Sequence, residues 1–150
     1  MAAAQDTPYR LVVTASSGLP VRTLEEAIDT AASDDASVAV VIPAVLPATL
    51  PIWAAPARIL DRVTKLRQAA RARMVALDLG GSVEIVPCRS VHSAIAALCG
   101  ERPPIEIVIA GSAPWRLRRA IRGLAPVTVV PLRRAARRPQ PVDGRPVLER

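Results

Sequence analysis

The chain has 150 residues, a length that suits one domain with a core of its own. Hydrophobic residues make up 51% of it, which excludes a disordered chain, while aromatics are only 2% and Phe is absent, so the core is built from Val, Ile, Leu and Ala. The net charge of +7 is uneven: six arginines against two acids fall between Arg133 and Arg150, which marks a body over residues 1–132 and a basic tail over 133–150.

After a small, polar start, Arg10 to Ala15 (RLVVTA) is rich in β-formers, and Ser16-Ser17-Gly18-Leu19-Pro20 breaks it. Leu24, Ala27, Ile28 and Ala31 recur at helical spacing between Arg22 and Ser33. Thr23 with Glu26 three residues on reads as a capping box at the start of that helix. Ser37 to Ile42 (SVAVVI) is a second buried strand. Pro43, Pro47, Pro51 and Pro56 then predict a proline-rich excursion, because proline suits neither a helix interior nor a central strand. The same prolines interrupt the longest apolar stretch, Val38 to Pro56, too often for one membrane-spanning helix.

Ala57 to Leu77 reads as a long helix with Ile59, Val63, Leu66, Ala70, Met74 and Leu77 as its apolar stripe, stopped by Asp78-Leu79-Gly80-Gly81. Ser82 to Pro87 is a third strand, and Ser90 to Leu98 a helix capped by Ser90. Ile105 to Ala110 (IEIVIA) is a fourth strand, followed by the small-residue loop Gly111-Ser112-Ala113-Pro114. Trp115 to Leu124 is an arginine-rich helix, and Val127 to Leu132 a fifth strand. Strands alternating with helices imply right-handed crossovers and a parallel sheet, an α/β domain.

In such a sheet a ligand lies beyond the carboxyl ends of the strands, where the strand order reverses. The loops after the first and fourth strands, Thr14 to Gly18 and Gly111 to Pro114, have the small, hydroxyl-bearing chemistry for it, and Arg116 and Arg119 follow in the next helix. The competing reading makes Gly111-Ser112 a plain strand-to-helix turn and the arginines a solvated face. Neither G-x-G-x-x-G nor a P-loop motif occurs in the sequence.

Enzyme chemistry is poorly supplied. His92 is the one histidine, Cys88 and Cys99 lack the spacing of a metal or redox motif, and there is no G-x-S-x-G elbow. These residues are expected to be structural, and the protein not to be an enzyme. Without a basic start and apolar run at its opening, the chain is expected in the cytoplasm. The tail, with Arg133, Arg134, Arg137 and Arg138, suits nucleic acid (with Arg116, Arg118, Arg119 and Arg122 of the last helix in support), a membrane surface or an acidic partner, or is simply a solvated extension. Trp53 is expected to pack in the core or within its loop, the alternatives being a cover over the pocket or a dimer surface, and Trp115 to occlude the space beside Gly111.

The blocks RLVVTASSGLPVRTLEEAI and IEIVIAGSAPWRLRRAIRGLAPVTVVPL resemble the opening and closing of the universal stress protein domain, and the likeness covers Arg10 to Leu132. The resemblance implies a single open five-stranded parallel sheet in the order 3-2-1-4-5 with helices on both faces, of the adenine-nucleotide alpha-hydrolase-like kind. It also implies a stress-response protein that dimerises through Val127 to Val130. Family members that bind ATP carry G-x-x-G, nine residues, then G-[ST]. Here Gly111 fits, but Pro114 replaces the second glycine and Leu124-Ala125 the final pair. The aspartate that usually ends the family's first strand is replaced by Thr14 or Ala15. The resemblance thus implies a degenerate ATP site and no cofactor. An ATP or AMP site kept in spite of this would use Thr14, Ser16, Ser17, Gly111, Ser112 and Arg116.

Overall fold

The computed structural model describes residues 7–132 apart from residue 52; the tail, and any nucleic-acid contact through it, lies outside the described residues. Five parallel strands, β1 (Tyr9–Thr14), β2 (Ser37–Val45), β3 (Gly81–Cys88), β4 (Glu106–Ala110) and β5 (Val127–Val130), form one sheet in the order β3-β2-β1-β4-β5. They are linked by α1 (Val21–Ala31), α2 (Ala57–Ala76), α3 (Val91–Glu101) and α4 (Trp115–Ile121). The α/β class and the strand order are those expected from the sequence.

The two sheet faces follow from the period of two along each strand. Val12, Val38, Val40, Ile42 and Val108 point to one side, where Leu24 and Ile28 of α1 and Val63, Leu66 and Met74 of α2 cover them. Leu11, Val13, Val41, Ile107 and Ile109 point to the other, under Ile95 and Cys99 of α3 and Leu117 and Ile121 of α4. Aliphatic side chains on both faces make the strands near-continuous Val/Ile runs. An Arg73–Asp29 fork, at 2.8 and 2.7 Å, ties α2 to α1. No helix among the described residues is long and apolar enough to cross a membrane.

Three local expectations change. Pro43 lies inside β2, opposite Val86 of β3. Val38 donates to Gly80 just before β3, Leu46 to Cys88 at the end of β3, and Ser37 to Pro8 just before β1, so odd-numbered nitrogens of β2 face β1. The Pro43 nitrogen thus faces β1, and because proline cannot donate, pairing with β1 ends at Val41–Val13 while pairing with β3 runs on to Val45–Cys88. The second change is at α1, whose N-cap is Pro20 with no side-chain cap bond. Thr23 is buried one turn in, its N–H on the Pro20 carbonyl, and it forms no capping box. Proline's fixed φ suits the entry into a helix. Third, the left-handed residue that ends α2 is Asp78 (φ 54°), not a glycine. Leu79 N–H bonds the Met74 carbonyl at 2.9 Å and Asp78 N–H that of Val75 at 3.1 Å, a Schellman closure. Gly81 is needed for another reason: a Cβ there would meet the Val38 carbonyl oxygen at 1.8 Å. Ser90 caps α3 as expected, its Oγ accepting from Ser93 N–H.

Candidate functional site

The strand order reverses between β1 and β4, whose neighbours β2 and β5 lie to opposite sides. A ligand's place is thus the carboxyl end of this pair. Thr14 lies opposite Ala110 in the ladder, and Ala15 N–H donates to the Ala110 carbonyl at 2.9 Å. Gly111 N–H donates to Val130 at 2.8 Å, so β4 is held on both sides to its last residue. Thr14 and Gly111, two of the six residues expected to form a site, are brought together here.

Leu19 fills the space beside Gly111. It is 7% exposed and packs with the core cluster of Val12, Leu24, Ala110 and Val130. A Cβ built on Gly111 (φ 105°) would stand 2.8 Å from Leu19 Cδ1 and 3.4 Å from the Ala15 methyl. Gly111 is thus required for close packing with a hydrocarbon side chain and for a backbone angle that L-residues rarely adopt. The leucine was read only as part of a loop. The usable signal was one large apolar residue in a run of Ser and Gly, just before a proline that opens a helix.

The other expected residues do not converge on this point. Ser16 and Ser112 are exposed and Ser17 is half-buried. Neither α1 nor α4 takes a side-chain cap from these loops, because Pro20 and Pro114 stand at the two N-caps. Both prolines also lack an N–H that an anion cradle would use. Arg116 is exposed, its guanidinium carbon 5.8 Å from the ring centre of its neighbour Trp115. Thr14 has no accessible surface, and its Oγ1 has no hydrogen-bond partner. A hydroxyl buried without a partner is costly, and this one lies against the backbone of the reversal point.

Trp115 does not occlude the reversal point. It is 60% exposed and borders a groove of about 930 Å³ at the opposite margin of the last βαβ unit, with Arg118, Arg119, Arg122 and the free side of β5. Nor does Trp53 pack into its loop: it is 86% exposed. Cys88 and Cys99 are buried free thiols, and burial raises both above the ordinary thiol range. His92 is exposed in the first turn of α3. No group of three or more metal-ligating side chains exists among the described residues.

The comparisons with known proteins agree with this architecture. No family model and no curated protein matches the chain. Among solved structures, a protein from the universal stress protein family of Burkholderia pseudomallei superposes with a TM-score of 0.60 at 18% identity, covering 83% of this chain and 96% of that one. The universal stress protein from Archaeoglobus fulgidus in complex with dAMP gives 0.57 at 17% identity, covering 86% and 99%. Another structure of the Archaeoglobus fulgidus protein gives 0.57 at 17%, covering 88% and 97%. In strand order, helix placement and length, this chain has the fold of the universal stress proteins.

Proposed function

We propose that the protein is a non-catalytic stress-response or regulatory protein of the universal stress protein type, cytoplasmic, independent of nucleotide, and active through contacts with other protein chains. The observation that supports this best is Leu19 packed over Gly111. At the reversal point the backbone faces a leucine side chain, and Pro114 replaces the second glycine of the phosphate motif. The buried thiols stay protonated at neutral pH and so are poor nucleophiles, which favours the non-catalytic reading. The surface for protein contacts is the free edge of β5, Val127 to Val130, the segment through which a homodimer was expected.

Melting the full-length protein with and without millimolar ATP, AMP and magnesium tests this. No change is expected. A ligand at a hundred times its Kd would add about 2.7 kcal/mol, a rise of several degrees in a domain this size, and such a rise would overturn nucleotide independence.

The second reading, an AMP or ATP sensor, has one observation in its favour. Thr14 Oγ1 is buried and unpartnered beside Gly111, at the place where a ligand would lie, and one structural neighbour is described in complex with dAMP. It requires Leu19 to leave its pocket on binding.

A further inference from the structure

The 20 residues of α2 include six basic side chains and one acid, Asp61. Its buried stripe, Val63, Leu66, Ala70 and Met74, turns to the sheet, so the opposite side of the helix is the molecule's surface. Arg73 is committed to Asp29 of α1, and Arg67 is half-buried. The remaining four, Arg58, Arg62, Lys65 and Arg71, are exposed, and none has an ion-pair partner among the described residues. They are spread over roughly 20 Å of helix, with the exposed Asp61 among them. Of the acids on α1, Asp29 and Glu25 act on Arg73, in the last turn of α2.

Apolar side chains stand at both ends of this basic stretch. Trp53, four residues before the helix, is 86% exposed, Leu60 in the first turn 45% and Val75 in the last turn 80%. Trp53 is the most exposed large apolar side chain among the described residues, in a chain with only two tryptophans and one tyrosine. Isolated exposed hydrophobics are ordinary. Here they flank cations that no protein acid neutralises, and the combination fits a bilayer interface. An indole sits well at headgroup level, and long cationic side chains reach lipid phosphates while their stems stay on apolar ground.

We infer that the outer face of α2 docks the protein on a membrane surface rich in anionic lipid. Trp53 and Leu60 enter the headgroup layer, and Arg58, Arg62, Lys65 and Arg71 face lipid phosphates. The contact is peripheral and involves neither the reversal point nor β5. Charge complementarity selects the occupant. A second copy of α2 would bring the same cations, and like charges oppose contact. A nucleic acid would take up the cations but leave Leu60 and Val75 against a charged backbone.

The test is sedimentation of the full-length protein with vesicles of phosphatidylcholine containing about one-third phosphatidylserine, beside vesicles of phosphatidylcholine alone. Binding is expected to the anionic vesicles only, and to weaken with salt. A basic residue close to an anionic surface is worth roughly a fivefold gain in partitioning, so R58Q/R62Q/K65Q should lower it about tenfold or more. W53S should lower it several-fold with no change of charge. In W115F, Trp53 is the one indole left, and its emission should shift to shorter wavelength on binding and be quenched by brominated lipid. Circular dichroism and melting confirm that each variant is folded. Failure to bind the anionic vesicles overturns the proposal. So does binding that R58Q/R62Q/K65Q leaves intact, which would assign it to the basic tail, or a Trp53 emission that does not move. Duplex DNA that displaces the protein from vesicles through the same three residues, and binds more tightly, overturns it as well.

Discussion

The two ends of the β4–α4–β5 unit have opposite characters. At the reversal point between β1 and β4 the backbone is closed: Leu19 lies over Gly111, both flanking helices begin at proline, and the buried Thr14 hydroxyl has no partner among the described residues. At the outer edge of β5 the backbone has no strand partner among the described residues, and three arginines without an ion pair among them and an exposed tryptophan border it. The fold ordinarily puts its chemistry at the first place. This sequence has placed hydrocarbon there and charge at the second. A shared fold therefore fixes where a site can be, and the side chains decide whether it is one.

The sharpest way to break the comparison is at Gly111. Gly111→Ala adds a Cβ 2.8 Å from Leu19 Cδ1 on a backbone at φ 105°. Backbone strain and overpacking together should cost about 3 to 4 kcal/mol, read by urea unfolding. Leu19→Ala should cost about 2.5 kcal/mol through the cavity it leaves. The double variant should be less unstable than the sum, because the clash disappears and the strain remains. Additive costs would mean that Leu19 does not press on Gly111. If AMP raises the melting temperature of Leu19→Ala but not of the natural protein, the leucine is what closes the site.

Much of the fold was legible in the sequence, for identifiable reasons. The Val/Ile runs of β1, β2 and β4 and the stripe Val63, Leu66, Ala70 and Met74 are period signals that tertiary structure left intact. The strand order came with the family resemblance, since β-α alternation fixes parallel pairing but not which strands are neighbours. Pro43 was misread because a proline's cost depends on which neighbour its nitrogen faces, and that needs the register. The site was harder still. The failed glycine pattern was plain in Pro114 and Leu124-Ala125, but the packing of Leu19 on Gly111 joins residues 92 positions apart. The four arginines from Arg116 to Arg122 were equally visible. That three of them border a free strand edge follows only from β5 ending the sheet.

A smaller effect separates the two readings of the closed end. Thr14→Val exchanges a buried, unpartnered hydroxyl for a methyl of nearly the same volume. Thermal unfolding should show a gain of about 1 kcal/mol, because the desolvation cost of the hydroxyl is removed and no hydrogen bond is lost. A loss of similar size would mean that the hydroxyl is paired in solution, with water or with a bound molecule. In that case the sensor reading gains its first contact.

The smallest effect on folding is expected at the open end. Arg118, Arg119 and Arg122 are exposed and make no ion pair among the described residues, so R118Q/R119Q/R122Q should change stability by no more than about 0.5 kcal/mol. Clustered like charges repel, which predicts a slight gain, larger at low salt. A clear loss would mean that the arginines hold the fold together through the tail or the edge, and the two ends would then differ less than their surfaces suggest. An unchanged or raised melting temperature would mean that the charge is not there for folding. Glycine and leucine at the closed end would then serve folding, while the arginines at the open end do not.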